Sequence, residues 1–347
     1  MIEQTVHPVN PWRSEQVITC RDDDKGLRAV IAIDDTTLGP GFGGVRLAHY
    51  PDAYTALTQA QRLAATMTRK HALADLPYGG AKAVILEDGP LTRDRREQLF
   101  ARFADFVLRL GGIFIPGVDM GTTPADMAVL RDNGVHAYGV DHDPYPWTAR
   151  GVYQALRAGA AHAFGTDDLQ GMRVAVQGVG AVGHPLARLL AADGARVLVG
   201  DIDQGRAQRL ADQIGGLVID PADAPYARCD IFAPCAVGRV LRAEAASRMQ
   251  CRLVAGSAND ILDDPAAAEA LHERDVVVVP DYVANAGGVI HEHARAMGWD
   301  TDRLAEDVDR IGSRVTSILQ EAATSGLSPS AVAERRAVAR LLAAREP

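Results

Sequence analysis

Residues 174–203, VAVQGVGAVGHPLARLLAADGARVLVGDID, constrain the fold more than any other stretch. A short apolar run, Val174–Val176, has the composition of a buried strand. Gly178, Gly180 and Gly183 follow in G-x-G-x-x-G spacing, then a helical pattern with Leu186, Leu189 and Leu190 on one face. A second apolar run, Val197–Val199, ends at Asp201. Strand, glycine turn, helix, strand, acid is the order of a dinucleotide-binding unit. Gly178 permits the tight turn, Gly180 lets backbone approach a pyrophosphate, and Gly183 lets the helix pack on the sheet. The N–H groups opening the helix then face the phosphates. A carboxylate at Asp201 can accept both ribose hydroxyls and repels a 2′-phosphate, which favours NAD over NADP. The bland alternative is a doubly wound domain with an empty crevice.

A chain of 347 residues can bury two substantial cores. Its 47% hydrophobic and 23% charged residues are those of a soluble globular protein. A net charge of −9 argues against a nucleic-acid surface. No segment approaches the roughly 18 uninterrupted apolar residues of a membrane span. The start, MIEQTVHPVN, lacks the basic and apolar parts of a signal peptide, so a cytoplasmic protein is expected. Cys20, Cys229, Cys235 and Cys251 form no C-x-x-C pair and suit reduced thiols. His291 and His293 stand without metal-ligand spacing around them, so no metal is expected.

Ahead of the nucleotide unit, two apolar stretches at 17–20 and 27–33 flank DDDKG and form a hairpin signal. GPGFGGVRL (39–47) implies backbone that bends sharply or lies close to something; a plain loop is the simpler reading, and Arg46 is a weak candidate for an anion contact. Residues 52–71 form a helix ending near Lys70, a position where lysine commonly complements the helix dipole. In LPYGGAKAVIL (76–86), Lys82 stands behind two glycines at the mouth of an apolar strand. Burial there would lower its pKa and suit it to act as a base. A further helix spans 93–110. Asp119 follows an apolar strand, as either a turn aspartate or a carboxylate aimed into a cleft. DHDPYPW (141–147) reads as a linker, with Thr148 opening the next helix. Beyond Asp201, apolar runs at 217–219, 231–233, 252–255 and 276–279 continue the alternation, and helices cover 301–322 and 328–345. Three runs end in APCAVG, GSAND and PDYVANAGG, where an open parallel sheet binds ligands. Asn259 and Asn285 therefore either contact a nicotinamide or merely bond their own loops. The expected architecture is α/β in two domains. Residues 1–145 form a substrate-binding and oligomerisation domain with a mixed sheet, and 146–327 a Rossmann-type NAD-binding domain. The C-terminal helix 328–347 is expected to pack back on the first.

Five segments, GFGGVR (41–46), MTRKHALADLPYGGAK (67–82), PGVDMGTT (116–123), QGVGAVG (177–183) and PDYVANAGGVI (280–290), together with APCA and GSAND, are similar to the glutamate, leucine, phenylalanine and valine dehydrogenases, most closely the leucine and phenylalanine branch. The resemblance implies reversible NAD-dependent oxidative deamination of an L-amino acid to its 2-oxo acid and ammonia by a homo-oligomer. It makes Lys82 and Asp119 the catalytic pair. Lys70 becomes the carboxylate anchor, with Gly43, Gly44, Met67, Asn285, Val289 and Glu292 around the substrate. Arg46, Thr148, Gly178, Val179, Gly180, Ala181, Val182, Gly183, Asp201, Ile202, Cys235, Ala236, Asn259 and Asn285 fall on cofactor positions. Hydride loss from the α-carbon leaves a cationic imine. A neutral Lys82 can then deprotonate the attacking water while Asp119 handles the amine protons, and a closing cleft would exclude solvent.

Three departures stand out, of which the second and third bear on substrate; the alanine of the first also occurs in the glutamate type. Gly79-Gly80-Ala81 precedes the lysine where the leucine type has three glycines. Glu292 stands where that type has an apolar residue. PYPW precedes Thr148. The expected substrate is apolar or aromatic, of the phenylalanine, leucine or valine kind. Glu292 leaves a polar or cationic side chain as the alternative. A non-catalytic NAD-binding protein is the rival from another class, but retention of Lys82 and Asp119 counts against it.

Overall fold

The computed structural model describes residues 13–236, 238, 241, 243–262 and 265–345. The N-terminal segment read for a signal peptide and Val237 of APCAVG lie outside the described residues. The chain divides into two units, one running to His142 and resuming at Ala337, the other Asp143–Arg336. No helix among the described residues is long and apolar enough to cross a membrane.

The first unit contains β1 (Gln16–Asp22), β2 (Leu27–Asp35), β3 (Gly41–Ala48), α1 (Ala53–Leu73), β4 (Gly79–Leu86), α2 (Arg93–Leu108), β5 (Phe114–Val118) and α3 (Pro124–Asp132). Its mixed sheet has the order β1-β2-β4-β3-β5. The expected hairpin is the antiparallel β1–β2 pair, and β3 runs parallel to both β4 and β5. Period-2 alternation divides β2 between two cores. Ile31 and Ile33 meet Phe100 and Phe103 of α2, whereas Val30 and Ala32 meet Ala56, Ala60 and Ala64 of α1. Alanines on that face let α1 lie close to the sheet. The Asp52 carboxylate accepts the Thr55 N–H at 2.7 Å to cap its start.

Two glycine-rich stretches differ from the simplest sequence reading. Residues 41–48 are strand rather than loop, and Gly79-Gly80 begin β4 rather than forming a turn before it. The reason is proximity. A Cβ on Gly43 would lie 1.6 Å from the Ala81 carbonyl oxygen, and one on Gly80 would lie 2.2 Å from the Thr68 amide on α1. Missing side chains let this layer close up.

The second unit contains α4 (Tyr145–Phe164), β6 (Arg173–Gln177), α5 (Gly183–Ala192), β7 (Arg196–Gly200), α6 (Gln204–Ile214), β8 (Leu217–Val218), β9 (Ile231–Pro234), α7 (Ala243–Arg248), β10 (Leu253–Val254), α8 (Pro265–His272), β11 (Val277–Val278), α9 (Asp281–Ala284), α10 (Gly287–Ala296) and α11 (Thr301–Ser325). The last helix, α12 (Pro329–Arg345), is divided by the unit boundary. The sheet is wholly parallel with order β11-β10-β9-β6-β7-β8. Numbered within the unit and read from its other edge, this is the 3-2-1-4-5-6 order of the doubly wound dinucleotide fold. Helix α4 begins at Tyr145, three residues before Thr148, because Pro146 fits the first helical turn. On α5, Leu186 and Leu190 are buried but Leu189 faces solvent.

Candidate active site and nucleotide loop

In the first unit the candidate site follows from strand register. Strand β3 lies between β4 and β5. Gly44 pairs with Gly117, and Val45 pairs with both Ala83 and Val118. Lys82 therefore projects from one neighbouring strand, while Asp119 follows directly after the other. The Lys82 ammonium lies 3.0 Å from Asp119 Oδ2. Arg46, on β3, donates through Nε to the same oxygen at 2.7 Å. Gly44 makes the meeting possible. Its Cβ would stand 2.7 Å from Asp119 Cβ and 2.9 Å from Lys82 Nζ.

Asp119 is fixed from behind. Its N–H donates to Thr122 Oγ1 at 2.9 Å, and the Thr122 N–H donates to its carbonyl at 3.1 Å. Gly121, at φ +78°, presses this turn onto the Leu47 carbonyl. Burial alone would raise the Asp119 carboxyl. The Lys82 ammonium and Arg46 guanidinium outweigh it and hold the group well below the usual carboxylate range.

Lys70 lies in the last turn of α1 and is buried, so its ammonium is not surface decoration. Met67, one turn earlier, is half-buried. The sequence reading missed Tyr50, which interacts electrostatically with Arg46 and whose hydroxyl donates a hydrogen bond to Gln59. It also passed over a signal in plain view. Only Lys25, Lys70 and Lys82 are lysines among 36 lysine and arginine residues. Where arginine is the default cation, a retained buried lysine marks a need for a compact ammonium that can lose its proton. Lys25 is exposed in the β1–β2 turn; Lys70 and Lys82 are buried.

In the second unit the three glycines have separate functions. Gly178, at φ +85°, would drive a Cβ into Ala236, 2.5 Å away, and Gly183 would meet the Gly178 carbonyl at 1.9 Å. Gly180 has room: the nearest atom is Arg206 Nη1 at 3.9 Å. Its neighbour Ala181 is exposed and Val182 half-buried. Helix α5 starts without a side-chain cap; the His184 and Leu186 N–H groups are bonded to the Gly180 and Val182 carbonyls and Pro185 has none, so the Gly183 N–H is the first-turn donor left for a ligand. Asp201 is buried, and its two oxygens accept the Val179 and Asp203 N–H groups, each at 2.8 Å. It therefore braces the glycine loop against β7, a function the sequence did not suggest. Two acceptors are used, which leaves a carboxylate further lone pairs for ribose. Ile202 beside it is 94% exposed. Open space over Gly180, the Gly183 amide and exposed Ile202 fit a dinucleotide.

The loops after β9, β10 and β11 converge. Cys235 is half-buried, its N–H bonded to the Gln177 carbonyl at 2.7 Å. Asn285 donates to Asn259 Oδ1 at 2.8 Å and to the Ser257 carbonyl at 3.1 Å, and its own Oδ1 is buried with no hydrogen-bond partner among the described residues. That orphaned acceptor is suited to an amide donor. Thr148 Oγ1 donates to the Pro144 carbonyl at 3.1 Å and lies 2.8 Å from the Cβ direction of Gly288. Trp147 stacks on His291, with ring centroids 6.3 Å apart. Val289 is half-buried, and buried Glu292 has a carboxylate oxygen 3.5 Å from His291 Nδ1.

The family model described as the Glu/Leu/Phe/Val dehydrogenase dimerisation domain matches residues 14–135. The model described as glutamate/leucine/phenylalanine/valine dehydrogenase matches 139–207 and 211–346. The chain is 38% identical to a leucine dehydrogenase of Bacillus subtilis over 333 residues, covering 94% of this chain and 91% of that protein. It is 37% identical to a phenylalanine dehydrogenase of Bacillus thermotolerans over 340 residues, covering 95% and 88%. Among solved structures, an L-tryptophan dehydrogenase from Nostoc punctiforme superimposes with a TM-score of 0.82 at 32% identity, covering 96% and 98%. With both sheets, the paired lysine and aspartate and the glycine loop in position, these likenesses identify the chain as a member of the Glu/Leu/Phe/Val dehydrogenase family.

Proposed function

We propose that the protein oxidatively deaminates an L-amino acid with an apolar or aromatic side chain, reversibly, with NAD as the cofactor. The observation that carries this reading is the buried Lys82–Asp119–Arg46 cluster across Gly44. Similarity to leucine, phenylalanine and tryptophan dehydrogenases supports the side-chain preference. NAD, when bound, accepts the hydride from the substrate α-carbon. Gly178, Val179, Gly180, Ala181, Val182 and Gly183 would hold its phosphates. Asp201 and Ile202 would hold the adenosine end, and Thr148, Cys235, Ala236, Asn259 and Asn285 the other.

Lys70 neutralises the substrate carboxylate. Met67 lines the substrate, while Gly43 and Gly44 keep the strands close beneath it. Asp119 accepts hydrogen bonds from the substrate amine, and its depressed carboxyl makes any protonated state short-lived. Lys82, in its neutral form, takes a proton from the water that attacks the imine carbon. Glu292 Oε1 lies 3.5 Å from His291 Nδ1, and a polar or cationic substrate side chain is the alternative that this carboxylate leaves. Four unbridged cysteines suit a reducing, cytoplasmic setting. The match to a dimerisation domain supports a homo-oligomer assembled through the first unit.

Steady-state assays of nicotinamide reduction across the L-amino acids, with NAD and with NADP, test the reading. Turnover of leucine, valine, phenylalanine or tryptophan, with NAD preferred, is expected. Turnover confined to lysine, ornithine or arginine overturns the apolar pocket. Lys82→Ala is expected to lower kcat about 10²–10⁴-fold; full activity in that variant overturns the lysine mechanism.

A further inference from the structure

Arg46 falls on a cofactor position by resemblance, and its guanidinium is engaged by Asp119. Nε donates to Asp119 Oδ2 at 2.7 Å, the oxygen that Lys82 approaches to 3.0 Å. Both cations are nearly buried, their side chains 11% and 7% exposed. Tyr50, in the loop after β3, interacts electrostatically with the same guanidinium, and its hydroxyl donates a hydrogen bond to Gln59 on α1. The result is a chain of contacts, Gln59–Tyr50–Arg46–Asp119–Lys82, within one unit.

This arrangement resolves a conflict in the chemistry. A lysine serving as a base must be able to shed its proton, but a carboxylate 3.0 Å away favours the ammonium. We propose that Arg46 is a positioning residue whose fixed charge offsets Asp119, so that Lys82 can lose its proton within the working pH range. Arginine is the only side chain suited to this, because it stays charged while its neighbour titrates. The inference rests on the dehydrogenase reading only for the use made of the neutral lysine; the electrostatic coupling itself can be measured without turnover.

Other charged or titratable groups lie on the elements packed against β4. From α1 these are Lys70 and His71, whose Nδ1 lies 2.8 Å from the Gly79 carbonyl. From the end of β2 they are Asp34, which accepts from Thr68 Oγ1 at 2.6 Å, and Asp35, which Arg345 holds at 2.6 Å. From beyond β5 and β3 come Asp119 and Tyr50. Of these, Asp119 and Tyr50 interact directly with Arg46, so a shift in Lys82 on that substitution reports the Arg46 charge together with its hold on Asp119.

The scarcity of lysine makes the measurement direct. Full-length protein grown on isotope-labelled lysine gives three side-chain signals, assigned by Lys82→Ala and by the exposure of Lys25. In Arg46→Gln the Lys82 titration midpoint is expected to rise by about one pH unit; an unmoved or lowered midpoint overturns the proposal. In an Asp119→Asn background the rise is expected to collapse, because Arg46 has lost the group that seats it. A full rise there overturns the route through Asp119. If Arg46→Gln does not fold, Arg46→Met carries the same expectation. Kinetics give a second test. Loss confined to kcat supports a positioning residue, whereas a raised KM for NAD with kcat intact overturns it. If no amino acid is oxidised by the unaltered protein yet the midpoint shifts as stated, the dehydrogenase reading fails and the coupling stands.

Discussion

Asp119 is a buried anion between two cations, and its removal is costlier than its own contacts suggest. Asp119→Asn leaves Lys82 and Arg46 with mutual repulsion and no counter-charge. A loss of about 3 kcal/mol at neutral pH is expected by urea unfolding, on the scale of breaking a buried pair. The sign of its pH dependence follows from the depressed carboxyl. A folded-state pKa below the unfolded value stabilises above the unfolded pKa and loses that benefit as pH falls. The gap between the two proteins should therefore hold at neutral pH and narrow below about pH 4; a gap independent of pH would sink the ionic explanation. At this scale Lys82 and Asp119 were legible as candidates from glycine-rich segments, one opening a strand and the other closing one. The partnership with Arg46 was not, because residues 46, 82 and 119 meet only through the insertion of β3 between β4 and β5, a non-local choice that no window of sequence encodes.

Among the elements, β3 and the turn after β6 use glycine for opposite purposes, and substitution separates them. A Cβ at Gly43 would overlap backbone of β4, so Gly43→Ala should part the two strands and yield little folded protein. Gly180 opens onto free space. Gly180→Ala should keep the melting temperature within a few degrees while raising KM for the cofactor about tenfold or more, as steady-state titration would detect. Equal melting with unchanged KM would remove Gly180 from the cofactor site. The nucleotide unit was largely readable because its determinants are contiguous: strand, loop, helix, strand and acid occupy 30 neighbouring positions. The brace from Asp201 to the Val179 N–H was not readable, because a carboxylate that can face ribose can equally turn back to its own loop. The start of α4 was misjudged for a local reason: prolines read as linker, but one of them suits the first helical turn.

At the scale of the whole molecule, alternating strands and helices disclosed two α/β units, yet only the parallel unit disclosed its strand order. There each β-α-β connection is short and right-handed by rule, whereas the mixed sheet of the first unit admits several orders for the same pattern of runs. Lysine is nearly absent from the molecule, with three in the whole sequence. Because Lys70 and Lys82 are buried and Lys25 stands out on its hairpin turn, an acylating reagent has one accessible side-chain amine. Brief treatment followed by peptide mapping should find Lys25 modified first; equal modification of Lys70 or Lys82 would contradict their burial. Aldehyde- or ester-bearing supports should then grip every copy through that same corner, apart from attachment at the terminal α-amine. Surface coupling, which scatters most enzymes into random orientations, should here yield a nearly uniform layer.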